Sequence, residues 1–342
     1  MSLYLYGIIE EGNRVDFGPI GFEKGGGQRE RVEAVPFGNL AVVSAPAPKV
    51  DFAGLPRKEM IAHLLAHQQT LEEVMKRFFV LPFKFGTIVR KVSELDLILE
   101  RGSGFLKTLA EKMRDLSEID VVATWEVPQI LREISAEDPE VVAFQKNLSG
   151  GTDNRIELGM MLAGRLKARA EKWRDEILNH LKSSAEGCAG HDLLNDQMVL
   201  NASFLVSNGR REAFDHAVLE TDRKFAGKLQ FRCVGPLPPY SFATLTLRKF
   251  DPEKIGEAAE ILKLNGVAEL TDIKRRYKEL SRLCHPDTHP DQPQEVFESL
   301  QQAFELMAGY CEDGPKSLER EAVASCIRLT VLQASDPVGH AA

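Results

Sequence analysis

Hydrophobic positions along the chain switch between a period of two and a period near 3.6, and that switching sets out the elements. Leu3–Ile9 is a continuous apolar and aromatic run that stops at the polar Glu10–Asn13, the pattern of a buried strand. Leu40–Ser44 predicts a second strand, ended by Pro46 and Pro48. Arg57–Phe79 places Met60, Ile61, Leu64, Leu65, Leu71, Val74, Met75 and Phe78 at helical spacing for one buried face. Val80–Val89 predicts a strand entered through Pro82. Two short helices over Ser93–Glu100 and Gly104–Leu116 then precede a strand at Ile119–Val127. Strands alternating with helices define an α+β or α/β chain.

Beyond Pro128 the pattern turns helical. Thr152–Leu181 lacks proline, starts at a capping Thr152 or Asp153, and repeats Ile156, Gly159, Ala163, Leu166, Ala170, Trp173 and Ile177 in steps of three and four. Its small residues permit close approach, either to a helix from another chain or, the favoured expectation, to its own domain's sheet. Met198–Ser207, Leu229–Val234 and Tyr240–Leu247 read as strands, with a helix from Gly209 to Ala226. With Ile119–Val127 as first strand, this half reads β-α-β-α-β-β, near a ferredoxin-like plan.

After Asp251-Pro252 the pattern becomes purely helical. A short helix over Ile255–Leu264, a turn at Asn265-Gly266, and a helix from Thr271 or Asp272 to Cys284 are expected. A third helix over Gln294–Tyr310 should bury Val296, Phe297, Leu300, Phe304 and Leu306 or Met307. On the middle helix Leu270, Ile273, Tyr277, Leu280 and Leu283 form the predicted buried stripe, while Lys274, Lys278 and Arg282 step by four along another face beside Arg275. The run Ala324–Leu332 alternates like a strand, which either returns to pair with the first 250 residues or stays a loose tail. The expected divisions are therefore 1–118 and 119–250 as two α+β domains, 251–314 as a helical module, and 315–342 as a tail.

Composition narrows the function classes. The 342 residues, 43% hydrophobic and 27% charged, suit a folded soluble protein of two or three domains. A net charge of −8 argues against a nucleic-acid-binding surface. The basic helix could suggest DNA binding in a three-helix setting, but the 252–313 segment holds 13 acids and 7 bases, which argues against it. Five cysteines without a C-x-x-C pair suit a reducing compartment. An N-terminus without a basic segment, and the lack of an apolar run near 20 residues, predict a cytoplasmic protein with no membrane contact.

Candidate chemistry is sparse. Gly25-Gly26-Gly27 lies in a loop from Gly18, but no Lys-Ser or Lys-Thr follows at phosphate-loop spacing. His63 and His67 lie four apart on a helix, yet Leu64 stands where a zinc protease has glutamate, and solvated or capping histidines are expected. Cys284, His285 and His289 lack a second ligand pair at finger spacing. No nucleophile–base pair, metal set or cofactor cradle emerges, so the expectation is a protein that is not an enzyme and holds no cofactor and no metal.

Two segments carry more than general pattern. Leu81-Pro82-Phe83-Lys84-Phe85-Gly86-Thr87 and Gly235-Pro236-Leu237-Pro238-Pro239-Tyr240-Ser241-Phe242 resemble hallmark segments of the gas vesicle GvpF/GvpL family. Tyr4-Leu5-Tyr6-Gly7-Ile8 and Leu200–Val206 fit the same family in the same order, over roughly residues 1–250. The resemblance implies a cytoplasmic or vesicle-associated accessory protein of gas vesicle assembly with two α+β domains, the second ferredoxin-like. It would bind the hydrophobic shell protein and other gas vesicle accessory proteins, and no enzymatic activity attaches to the family.

The last segment is similar to a J-domain, the DnaJ-type module that engages DnaK-type chaperones. Asp272–Ser281 matches its basic second helix, His285-Pro286-Asp287 its loop signature, and Gln302–Leu306 its third helix. By this resemblance Lys274, Arg275, Lys278 and Arg282 face an acidic chaperone surface while His285, Pro286 and Asp287 trigger ATP hydrolysis. Three positions depart from the family pattern: Glu279 stands in place of a base, Cys284 of an aromatic, and Thr288 of a base. The expected function is a non-enzymatic assembly factor whose J-like module recruits a chaperone. The alternative is a minor structural component of the vesicle wall, with that module as a docking domain.

Overall fold

The computed structural model describes residues 2–147, 152–285 and 293–332. Packing separates Leu247–Thr330 from Met1–Thr246 and the chain end that begins at Val331.

The first unit opens with β1 (Leu3–Ile9), β2 (Val15–Gly18), the small hairpin β3 (Glu23–Gly25) and β4 (Gln28–Arg29), then β5 (Val32–Phe37) and β6 (Leu40–Pro46). The glycine loop is thus a hairpin turn and not a phosphate cradle. Helix α1 (Arg57–Met75), β7 (Val80–Pro82), β8 (Ile88–Val89) and α2 (Val92–Met113) follow. The sheet runs β2-β5-β6-β1-β7, with β8 also against β1, every pair antiparallel. β1 is therefore central, and burial of Tyr4 through Ile9 on both faces explains its unbroken apolar run. Gly7 fits here because a Cβ at this position would lie 2.9 Å from the Leu81 carbonyl oxygen across the ladder. Tyr4, Tyr6, Phe22, Val32, Val43, Leu71 and Val74 form the core between this sheet and α1.

Three expectations fail here. The helices at 93–100 and 104–116 are one, since α2 runs through Gly102 and Gly104. Burial of Leu95, Ile98, Leu99, Leu106, Leu109 and Met113 along one stripe outweighs the roughly 1 kcal/mol that each glycine costs. On α1, His67 is buried and not solvated, while Ile61, Leu64 and Leu65 of the supposed buried stripe are exposed.

The second half of this unit contains β9 (Leu116–Thr124), α3 (Val127–Glu137), α4 (Pro139–Lys146), α5 (Thr152–Lys182), β10 (Gly187–Gly190), β11 (Met198–Ser207), α6 (Arg211–Phe225) and β12 (Gln230–Leu237). Its antiparallel sheet has the order β10-β11-β9-β12. This is β-α-β-β-α-β with the ferredoxin-like strand order, reached through a strand the sequence pattern missed. Gly187-Cys188-Ala189-Gly190 is too short and too small-sided to signal itself by alternation. Helix α5 packs on α3, α4, α6 and β11, so its own domain covers it, as the favoured expectation held. Ile119, Val121, Trp125, Ile130, Ile177, Leu181, Phe204 and Phe214 lie in that core.

The proline-rich turn leads into a one-turn helix, α7 (Tyr240–Ala243), and then β13 (Thr244–Lys249), where a single strand over 240–247 was expected. The remaining elements are α8 (Pro252–Ile261), β14 (Val267–Ala268), α9 (Leu270–Cys284), α10 (Gln294–Tyr310), β15 (Lys316–Ser317), α11 (Arg320–Ala324) and β16 (Ile327–Leu332). Asp251 caps α8 by accepting from the Glu253 amide at 2.9 Å, with Pro252 at the first helical position. β16 pairs with β13 in a two-stranded sheet, and β15 with β14, so the alternating run at 324–332 joins neither larger sheet.

Candidate functional site

The basic helix α9 is built by one inward stripe. Ile273 and Cys284 are buried, and Tyr277 and Leu280 half-buried, against a core that includes Leu300, Ala303 and Met307 of α10. The Tyr277 ring stacks on Phe304 with centroids 4.4 Å apart. The stripe thus runs 273-277-280-284, and Cys284 takes the last inward seat. Leu283, expected inside, is 62% exposed. Val296, also expected inside, is 48% exposed, and Met307 rather than Leu306 is fully buried.

That orientation leaves the opposite row in solvent. Lys274, Arg275, Lys278 and Arg282 are all exposed. Arg275 is held by Asp272 at 2.5 Å and Arg276 by Glu279 at 3.2 Å, so Glu279 neutralises a neighbour that lies off the row. Lys274, Lys278 and Arg282 step by four along α9 and present the module's local positive charge outward. His285 follows at the C-cap with extended backbone, its ring edge-on to Phe297 at 5.1 Å. The expected contacts of Pro286 and Asp287 lie outside the described residues.

The module is larger than its three helices. Phe250 precedes them, Cys311, Val323 and Cys326 follow, and all are buried in the same core as Ile255, Ile273 and Leu300. Arg328 on β16 closes it. Its guanidinium donates to the carbonyls of Gly309 and Tyr310 at the C-terminus of α10, and pairs with Glu312 and Asp313.

In the first unit, the structure brings together the two marked segments of the sequence. Phe83 bridges to Leu245, and the Lys84 amide donates to the Leu245 carbonyl at 2.7 Å. Tyr240 packs onto the core of the first sheet. Behind α7 lies a polar cluster missed by the sequence reading: Glu118 and Asp120 of β9, Ser203 of β11, His191 after β10, and Ser241. A signal was present, since Glu118 and Asp120 alternate with the core residues Ile119 and Val121. Only the fold reveals that their face is also covered.

Among the described residues no group of three or more His, Cys, Asp or Glu side chains could hold a metal ion. Among the described residues no helix is long and apolar enough to cross a membrane.

These features define a class: an α+β protein with two antiparallel sheets, followed by a J-type helical module. The gas vesicle synthesis protein GvpL/GvpF family matches residues 2–244, and the DnaJ domain matches residues 258–309. Gas vesicle protein F of Microcystis aeruginosa is 24% identical over 251 residues, covering 72% of this chain and 99% of that protein. Gas vesicle protein F of a Streptomyces species is 29% identical over 248 residues, covering 71% and 99%. The crystal structure of GvpF from Anabaena superposes with a TM-score of 0.60 at 22% identity, covering 71% of this chain and 98% of that one. The chain belongs to the gas vesicle GvpL/GvpF family and carries a C-terminal J-domain. That family is one of gas vesicle synthesis and not an enzyme family.

Proposed function

We propose that this protein is a gas vesicle assembly factor whose body, working as two α+β domains over 1–118 and 119–250, binds the hydrophobic shell protein and other vesicle accessory proteins in the cytoplasm. Its J-like module recruits a DnaK-type chaperone to that client. A shell subunit that must line a gas space exposes apolar surface before assembly, and such surface aggregates unless it is shielded.

The observation that carries the chaperone reading is the row Lys274, Lys278 and Arg282, exposed along α9 and ending at His285. An exposed basic row beside a loop signature suits an acidic ATPase surface by charge complementarity, which sets orientation and encounter rate. Lys274, Arg275, Lys278 and Arg282 supply charge in this reading, and His285, Pro286 and Asp287 the trigger.

The test is ATPase stimulation of a cognate DnaK-type chaperone by the full chain. His285→Gln should abolish stimulation with the fold unchanged by circular dichroism. No stimulation by the wild-type protein overturns recruitment. Its persistence in urea-washed vesicle walls would instead identify a wall component with a docking module.

A further inference from the structure

A buried carboxylate usually lies against a cation. Among the described residues Glu118 has no such partner: the charged group acting on it most directly is Asp120, another acid two positions along β9. Its ligands are hydroxyl and amide groups. The Ser241 amide donates to Oε2 at 2.7 Å and the Ser241 hydroxyl to Oε1 at 2.8 Å. Ser203 Oγ donates to Asp120 Oδ1 at 2.6 Å and lies 3.1 Å from Ser241 Oγ. His191 Nε2 touches both serines, at 2.7 Å from Ser203 Oγ and 3.4 Å from Ser241 Oγ. Tyr240 on α7 also faces Glu118, and Glu72 of α1 faces that tyrosine in turn.

Each serine hydroxyl has one proton, so the chain has two arrangements. With Glu118 ionised, Ser241 gives both its amide and its hydroxyl proton to the carboxylate, and Ser203 accepts from His191. When Glu118 takes a proton from water, its own O–H donates to Ser241 Oγ. The Ser241 proton then turns to Ser203 Oγ, or to His191 Nε2 once the exposed ring has exchanged its own proton to Nδ1. His191 is exposed, which gives the buried carboxyl a hydrogen-bonded route to solvent.

We propose that Glu118 is a proton-operated switch, reversing the Ser241–Ser203–His191 hydrogen-bond chain and so setting how firmly α7 is held to β9. The same α7–β13 segment reaches across to Phe83 and Lys84 of the first sheet, so the switch acts where the two sheets of the first unit meet. Burial, reinforced by the charge of Asp120 and opposed by the serine hydrogen bonds, brings the carboxyl up to about 7, near neutrality. A raised acid favours the fold in its neutral form. Its stabilising contribution is full below the unfolded value of 4.5 and is lost as pH rises to about 7. The hold on α7 follows the same sign, because opening α7 hydrates the carboxyl and returns it towards its ordinary value, so ionisation favours opening.

The test uses the full chain with carbon-13-labelled glutamate carboxyls, titrated by NMR from pH 5 to 9. Glu118→Gln deletes one resonance and so identifies it. The expected midpoint lies near neutrality and falls in Asp120→Asn. Amide exchange at Ser241, corrected for intrinsic rate, should be roughly fivefold less protected at pH 8 than at pH 6. That ratio should vanish in Glu118→Gln. Should that variant not fold, Ser241→Ala keeps the carboxyl and breaks the chain; its Glu118 midpoint should rise. A Glu118 midpoint near 4.5, or exchange equally protected at both pH values, overturns the proposal. Neither result bears on the chaperone reading.

Discussion

Tyr4 Oη and His67 Nδ1 lie 2.9 Å apart, joining the central strand β1 to the inner face of α1 in a core where both are buried. The Gly86 amide donates to the same tyrosine oxygen at 3.0 Å, and the His67 ring stacks on Tyr6 with centroids 5.4 Å apart. Surrounded this way, the imidazole is held neutral. Burial is the main cause, and it lowers the ring to about 4 from the ordinary 6.5.

The consequence is acid sensitivity with a defined sign. An unfolded His67 takes a proton near pH 6.5, whereas the folded one resists until about 4. The unfolded chain binds more protons in that window, so this contribution is full above pH 6.5 and is lost on acidification. The loss is on the order of 3 kcal/mol. Glu118 contributes the opposite slope over nearly the same range, so a wild-type pH curve mixes the two. The difference between wild type and His67→Phe isolates the histidine. From pH 7 to pH 4.5 the exchange protection of the β1 amides should fall further, or rise less, in the wild type than in the variant. Equal changes in both would show that His67 is not the titrating group.

Gly235 gives a steric prediction. Its φ is +155°, and a Cβ there would lie 2.8 Å from the Glu118 carbonyl oxygen and 3.3 Å from the Ile119 Cα, both backbone atoms that cannot swing away. Gly235→Ala should therefore cost roughly 2–4 kcal/mol and loosen β12 from β9. The check is a lowered urea midpoint with exchange gained at Gln230–Val234; an unchanged midpoint would refute the contact.

The sequence disclosed most where one residue class repeats at a fixed step. β1, β11, α5 and α9 were placed nearly to their ends because long apolar runs or stripes report burial directly. It disclosed least where tertiary neighbours decide. Gly102 and Gly104 argue locally for a break that six buried side chains of α2 override. Tyr240–Ala243 reads as strand, yet it coils because the Ser241 amide and hydroxyl find Glu118, a partner 123 positions away. The basic row of the J-like module was legible in full. The loss of Leu283 to solvent was not, because either Leu283 or Cys284 could continue the stripe.

The basic row predicts a charge effect confined to one face. Lys278→Glu reverses a side chain midway between Lys274 and Arg282, and should lower stimulation of a DnaK-type ATPase about tenfold at low salt. The deficit should shrink as salt screens both proteins. Arg276→Glu is the control, because Arg276 already pairs with Glu279 away from the row. Equal losses in both variants would mean that net charge, not the row, matters.

Arg328 predicts how the module depends on residues beyond its DnaJ match. The side chain is 11% exposed. It donates to Gly309 and Tyr310 carbonyls that end α10, pairs with two acids, and lies 5.7 Å from the Phe250 ring centre. Arg328→Leu would leave those terminal carbonyls without a donor and place two acids beside an apolar group, at a cost of roughly 2–4 kcal/mol. Arg328→Lys keeps the charge but not the planar fork that reaches several acceptors at once, so it should recover only part of the loss. The measurement is exchange across Gln294–Tyr310, with β1 and β9 as internal references. Protection should fall in α10 and stay level in the references, in the order wild type, lysine, leucine. If leucine matches wild type, the β16 segment is an ornament on the module and the three helices hold without it.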